Sequence, residues 1–246
     1  MPDSRQSREE VFLSVIIPAH NEEHRIVQSL EKVSAFLDAQ PYSSETLVVE
    51  NGSSDQTAKV ASEFAARRAG VRVMQEARRG KGLAVRRGML AARGKYRFMC
   101  DVDWSMPVEE IAKFLTPAVE AADVAIGSRE AKGSVVTDPF RRRFIGRSFN
   151  AAVRLLVLPG LRDTQCGFKC FTAEAAEFLF SRQRITGLAF DVEVLYIARR
   201  HGYRIVEVPI VWRYDPDSRV RMGSDPLRMV AELLAIRLNA RKGLYD

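Results

Sequence analysis

The chain reads as an α/β protein on a parallel, doubly wound sheet, and three observations lead there. Short apolar, β-branched runs recur at residues 11–18, 46–50, 71–75, 96–100 and 123–128, with helical stretches between them. Strands that alternate with helices pair in parallel and carry helices on both faces. The polar loops that could do chemistry all follow strand ends, so they fall along the one edge where open α/β sheets bind ligands. At 246 residues there is enough chain for one large domain with a well-buried core.

Each element has its own warrant. Residues 11–18 (VFLSVIIP) form a buried strand stopped by proline. After the polar loop 19–23 comes an amphipathic helix with Ile26, Leu30, Val33 and Leu37 at helical spacing. Residues 46–50 (TLVVE) are a second strand, cut off by Asn51-Gly52, and Ser54 or Asp55 caps a helix to about Arg68. Residues 71–75 are a third strand. Gly80-Lys81-Gly82 opens a helix carrying Leu83, Val85, Met89 and Leu90. The fourth strand, 96–100, ends at Asp101. Pro107 suits a first helical turn, and the spacing predicts a helix from there to about Ala122. Residues 123–128 are the fifth strand.

Beyond Ser128 the alternation lapses. Residues 130–139 read as a mobile connector. Residues 140–158 read as a helix, with Phe140, Phe144, Phe149, Val153 and Leu156 on one face and Arg141, Arg142, Arg143, Arg147 and Arg154 elsewhere. Two further helices are predicted at 172–182 and 188–200. Residues 204–212 alternate as one strand, which Pro209 assigns to an edge. The tail, 226–241, is an amphipathic helix with Leu227, Val230, Leu233, Leu234 and Leu238 on its apolar side. Residues 11–215 are expected to form the main domain, and 216–246 a loop and helix packed on it.

Composition excludes several classes. Three cysteines without C-x-x-C spacing indicate neither a disulfide framework nor a zinc site, and three histidines make a histidine metal site improbable. No apolar stretch approaches the roughly 20 residues that span a bilayer, and the first ten residues are polar, so a soluble or surface-bound cytoplasmic protein is expected. The net charge of +7 is uneven: residues 1–70 hold 7 Lys and Arg against 11 Asp and Glu, the remainder 31 against 20. A basic second half suits an anionic partner.

The chemistry centres on Asp101-Val102-Asp103. Two carboxylates at i, i+2 leave an extended segment on one side, at the carboxyl end of a strand. Hard cations such as Mg²⁺ or Mn²⁺ take such oxygens and share them with substrate phosphates. Asn21 and Glu22 offer an amide and a carboxylate to a ribose or base, and Glu50 offers another carboxylate. Gly80-Lys81-Gly82 is expected to leave N–H groups free at a helix start and to add a lysine for a diphosphate. The spacing is not that of a nucleoside triphosphate P-loop, and no G-x-G-x-x-G or G-x-S-x-G is present, which argues against ATPase, nicotinamide and serine hydrolase chemistry.

Taken in order, PAHNE, VENGSSDQT, RRGKGLAVRRGML and DVDW, with IGSR, DTQCGFKCF and FDVEVLYIARRHGYRIVEVPI downstream, resemble the inverting family 2 glycosyltransferases of GT-A fold, a Rossmann-like, mostly parallel sheet. Within that family the chain looks most like the dolichyl-phosphate glucosyltransferase and mannosyltransferase branch. The resemblance implies a nucleoside pocket of Pro18, Ala19, Asn21, Glu22 and Glu50, with Asn51, Gly52, Lys81 and Val102 nearby. Asp101 and Asp103 would hold a divalent metal on the donor diphosphate. Arg129 and Arg219 would neutralise phosphates, with Arg147 and Gln165 on the acceptor side and Asp163, Asp191 and Glu193 near the sugar. The family's usual double aspartate after the second strand is Glu50-Asn51 here.

The expected reaction is transfer of a hexose, glucose from UDP-glucose, to a polyprenyl phosphate at an anionic membrane surface. A lipid phosphate is already an anionic nucleophile; a hydroxyl acceptor would need a base, Asp191 or Asp163. The alternatives are mannose from GDP-mannose, a soluble or glycan acceptor, and a non-catalytic basic membrane- or nucleic-acid-binding module. No nucleic-acid motif supports the last.

Overall fold

The computed structural model describes residues 10–103, 105–116, 119, 121–137, 150, 151, 153–213 and 225–246. Four strands and three helices alternate first: β1 (Leu13–Ala19), α1 (Ile26–Asp38), β2 (Ser44–Glu50), α2 (Thr57–Arg67), β3 (Val71–Gln75), α3 (Lys81–Ala91) and β4 (Tyr96–Met99). A 3-10 helix, Val108–Leu115, then leads to β5 (Val124–Ser128) and β6 (Val135–Thr137). After these come β7 (Lys169–Thr172), α4 (Ala173–Arg182), α5 (Phe190–Arg200), β8 (Ile205–Pro209), β9 (Val211–Arg213) and α6 (Asp225–Arg241).

The main sheet has the order β3-β2-β1-β4-β7-β5-β8. β1 pairs in parallel with both β2 and β4, so the chain winds outward from β1 in two directions and leaves a crevice beyond the β1 and β4 carboxyl ends. β7 runs antiparallel to both of its neighbours, β4 and β5. β8 is the edge strand beside β5, as Pro209 required.

Burial on both faces follows from β1 itself. Leu13, Val15 and Ile17 enter one core with Ile26, Leu30, Val33 and Leu37 of α1, while Ile16 enters the other with Val85 and Met89 of α3. Each fully buried aliphatic of this kind contributes about 2 kcal/mol. α3 lies close on the sheet because Gly88 has no side chain: a Cβ there would meet Ile16 Cγ2 at 2.4 Å. The cap expected from Ser54 or Asp55 is corrected: Gln56 holds the N-cap position of α2 with no capping side-chain bond, and Asp55, one residue earlier, accepts the Thr57 N–H at 3.0 Å.

Several expectations are corrected. The helix predicted for 107–122 is the 3-10 helix, ended by Thr116 in extended conformation ahead of Pro117, a position where α geometry is disfavoured. The connector 130–139 contains β6, which pairs with β9 in a separate two-stranded sheet. The single strand predicted for 204–212 is therefore two, divided at Ile210. Leu90 is 41% exposed, and among the described residues of the 140–158 segment Val153 is buried but Leu156 is not. Residues 140–149, with four of the arginines expected there, lie outside the described set.

α6 packs with a different side from the one predicted. Met229, Leu233, Ile236 and Ala240 are buried, whereas Val230, Leu234 and Leu238 are exposed. The side chain of Leu227 lies outside the described residues. Both stripes are apolar at helical spacing, and the shape of the neighbouring α5 surface selects one.

Candidate active site

The strand register brings the candidate loops together. Ala19 stands opposite Glu50, and Ile16 opposite Met99, so Asp101 emerges two residues beyond the β4 pairing and beside the ends of β1 and β2. Asn21 turns the chain at the end of β1 with φ of 55°, the one positive φ outside glycine among the described residues. Asparagine tolerates that conformation. Its side-chain oxygen accepts the Ser54 N–H at 2.8 Å, and its own N–H donates to Ser53 Oγ at 3.0 Å. The Glu22 N–H reaches Thr57 Oγ1 at 2.7 Å, and the Glu50 carboxylate accepts the Ser53 N–H at 2.5 Å. The loops after β1 and β2 thus form one laced wall.

Asn51 ties that wall to the Gly80-Lys81-Gly82 loop. Its side chain is buried, takes the Gly80 N–H on Oδ1 at 2.7 Å and donates from Nδ2 to the Arg78 carbonyl at 2.6 Å. His20 Nδ1 lies 2.8 Å from the Asn51 carbonyl. The expectation of free N–H groups in the Gly80-Lys81-Gly82 loop is corrected for the two glycines: Gly80 N–H goes to Asn51 and Gly82 N–H to the Thr186 carbonyl at 3.0 Å. Both glycines serve close packing on the 183–190 segment. A Cβ at Gly80 would come within 2.6 Å of the Thr186 oxygen, and one at Gly82 within 2.8 Å of the Ile185 oxygen and Phe190 Cβ. For an anion the loop keeps the Lys81 N–H at the start of α3 and the Lys81 ammonium.

That ammonium lies 2.6 Å from Asp101 Oδ1. Burial opposes its charge, but Asp101 and then Asp191 outweigh that and raise its pKa above the usual lysine range. Burial and the Asp101 charge raise the pKa of Asp103. Val102 is buried between the two, and its carbonyl accepts Ser29 Oγ from α1 at 2.9 Å, which fixes the turn. Gly167 presses on Asp101 so closely that a Cβ there would sit 1.9 Å from Oδ2.

Behind this pair stands a second one that the sequence reading missed. Lys169, 1% exposed at the start of β7, donates to the Cys166 carbonyl at 2.5 Å and lies 2.7 Å from Asp191 Oδ1. Burial nevertheless leaves the Asp191 pKa raised, against the pull of Lys169 and Lys81. The one available signal was a charged residue inside the apolar run Phe168-Lys169-Cys170-Phe171.

Asp163, a candidate base only for a hydroxyl acceptor, is tied to Arg129. Its carboxylate is fully buried and holds Arg129 by Nε at 2.6 Å and Nη2 at 2.9 Å, with the Arg129 and Gln165 N–H groups at 3.0 and 3.2 Å. Burial alone would raise its pKa, but the Arg129 charge and these bonds lower it to about 2. A carboxylate so held positions Arg129, whose guanidinium also lies 5.6 Å from the Trp212 ring centre. Glu193 is likewise a buttress: it is buried, accepts the Arg184 and Ile185 N–H groups at 2.9 and 2.7 Å, and takes the Tyr245 hydroxyl at 2.6 Å. Arg147, Arg219 and Trp104 lie outside the described residues.

The donor set suits a divalent cation shared with a ligand. Asp101 and Asp103 are hard oxygen donors, and among the described residues no group of three or more His, Cys, Asp or Glu side chains forms a complete metal cage. Two carboxylates that need phosphate oxygens to complete the shell fit Mg²⁺ or Mn²⁺ carried by a diphosphate.

Sheet order, switch-point crevice and paired aspartates define a glycosyltransferase of GT-A architecture. The family model "Glycosyl transferase family 2" matches residues 14–183. The chain belongs to that family. It is 36% identical to "Dolichyl-phosphate beta-glucosyltransferase" of Mus musculus, across 95% of this chain and 77% of that protein. It is 32% identical to the protein of the same name from Saccharomyces cerevisiae, across 99% and 79%. Glucosyl-3-phosphoglycerate synthase from Mycobacterium tuberculosis, solved with Mn²⁺, UDP-glucose and phosphoglyceric acid, superimposes with a TM-score of 0.69 over 96% of this chain and 81% of its own. At 22% identity that likeness establishes the fold.

Proposed function

We propose that this glycosyltransferase moves glucose from UDP-glucose to the phosphate of a polyprenyl lipid, with inversion at the anomeric carbon. The observation that carries the reading is similarity across nearly all of this chain, and 77–79% of theirs, to proteins named dolichyl-phosphate beta-glucosyltransferase, joined to a D-x-D pair at the strand ends. The laced loops of Ala19, Asn21, Glu22 and Glu50 receive the nucleoside, with Pro18, Gly52 and Val102 shaping the pocket. Asp101 and Asp103 hold Mg²⁺ or Mn²⁺, which when bound supplies positive charge for the departing diphosphate. Lys81 adds a second positive charge there.

The acceptor brings its own negative oxygen. One phosphate oxygen bonds to the anomeric carbon while the bond to the UDP oxygen breaks, and no proton has to be removed. This agrees with carboxylates that are already committed: Asp163 to Arg129 and Asp191 to Lys169. Arg129, with Arg147 and Arg219, aligns the acceptor phosphate, and Gln165 lies beside it. Positioning supplies much of the rate.

The same reading puts the protein against an anionic membrane face. The exposed stripe Val230, Leu234 and Leu238 beside the exposed Arg237, Arg241 and Lys242 supports it. No described helix is long and apolar enough to cross a membrane. Peripheral attachment on the cytoplasmic side is the arrangement we propose.

Incubation with radiolabelled UDP-glucose, Mn²⁺ and a detergent-dispersed polyprenyl phosphate tests the function. Label that partitions into organic solvent is the expected result, and Asp103→Ala lowers the rate about a thousandfold. Transfer from GDP-mannose instead moves the sugar assignment. A labelled product that stays in water, formed with a small phosphorylated acceptor, removes the lipid.

A further inference from the structure

Two lysines neutralise carboxylates in the crevice, and they differ in freedom. Lys169 is sealed in and pinned by the Cys166 carbonyl as well as by Asp191. The Lys81 side chain is 29% exposed, on a four-carbon stem that can swing, and sits on Asp101, itself 23% exposed. The backbone beneath Lys81 is fixed, because Gly80 is bonded to Asn51 and Gly82 to Thr186. Any rearrangement at this point belongs to the side chain.

Asp101 is the carboxylate a metal needs, and the lysine is already there. Gly167 backs Oδ2 so closely that the carboxylate has little room to turn away. With the Gly80 and Gly82 N–H groups engaged, the ammonium of Lys81 is the one full positive charge this loop has for a diphosphate. A cation on Asp101 and a diphosphate near Lys81 therefore ask for the same event, transfer of the ammonium from one to the other.

We propose that Lys81 is the resident counter-ion of the Asp101 and Asp103 pair in the donor-free protein and passes to the donor diphosphate as a divalent cation takes its place. Metal and nucleotide then bind cooperatively, each removing an obstacle to the other, and the coupling is reciprocal. The free protein discriminates against metal ions that arrive without a nucleotide. The inference rests on the donor-site reading above and adds the exchange to it.

Binding of Mn²⁺ alone, followed by electron paramagnetic resonance on the full chain, tests this without turnover. Lys81→Met is expected to bind Mn²⁺ about tenfold more tightly than the unmodified protein, because the competing ammonium is gone. The same variant binds UDP more weakly at saturating Mn²⁺, so the coupling between the two ligands shrinks. Lys81→Arg, which keeps the charge, binds Mn²⁺ alone no more tightly than the unmodified protein. Circular dichroism and melting temperature establish that the variants are folded. Equal Mn²⁺ affinity in Lys81→Met and the unmodified protein, with binding lost in Asp101→Asn, overturns the exchange and leaves the donor site standing. Mn²⁺ binding that is indifferent to Asp101→Asn overturns both.

Discussion

The Lys169 ammonium lies 2.7 Å from the Asp191 carboxylate, and the two side chains are only 2% and 6% exposed. A lysine from the antiparallel strand of the sheet is thereby joined to an aspartate from the first turn of α5. The pair sets the charge against which the exchangeable Lys81 and Asp101 operate, since Asp191 acts on Lys81 as well.

Breaking that pair from one side is costly. Lys169→Met leaves a carboxylate buried without its cation and is expected to destabilise the protein by about 3 kcal/mol. Burial already raises the Asp191 pKa, so the deficit is largest at neutral pH and shrinks as acid protonates the stranded carboxyl. Denaturant unfolding of the variant at two pH values checks both the size and the direction.

Asp163 makes the opposite acid response. Its folded pKa of about 2 lies below the ordinary 3.8, so the unfolded chain takes up the proton first. The stabilisation is complete above about pH 4 and is lost as pH falls toward 2; it is worth roughly 2 kcal/mol. Asp163→Asn should remove that part of the acid dependence, read as a flatter plot of unfolding free energy against pH over this window.

Asn51→Asp is nearly isosteric and should still be harmful. The side-chain nitrogen that donates to the Arg78 carbonyl becomes an oxygen facing it. We expect a loss of about 2 kcal/mol in stability, since a buried acceptor is left facing another. Because Asn51 also positions Gly80, donor affinity should fall with it, measured by UDP calorimetry at saturating Mn²⁺.

The three cysteines should be chemically silent in the native state. All are buried, and burial pushes the Cys166 and Cys170 thiols up to about 12 and Cys100 well above its ordinary value. A thiol-reactive chromophore at pH 8 should label none of them rapidly, and all three after denaturation.

Much of the architecture was written in local pattern. Ile26, Leu30, Val33 and Leu37 predicted the buried side of α1, and Pro209 predicted an edge strand. Asp101 and Asp103 were visible as a pair of carboxylates just past a strand end, although the structure sets them on a turn and not on an extended strand. These features depend on neighbours a few residues away.

The rest depended on partners far along the chain. Whether Gly80 and Gly82 cradle a phosphate or pack on Thr186 and Ile185 is decided by a segment about a hundred residues later. Asp163 could be a base until Arg129 was seen to hold it, and which apolar stripe of α6 is buried was settled by the surface it meets. The sequence alone determined the alternation of strands and helices through Ser128 and the chemical types at the strand ends, since these follow from periodicity. The strand order, with antiparallel β7 between β4 and β5, came from the tertiary structure. Only the tertiary structure decided which charges are spoken for, because a carboxylate's role depends on burial and on the cation beside it. The sheet brings Lys81 to Asp101 and Lys169 to Asp191 from positions that no local pattern connects.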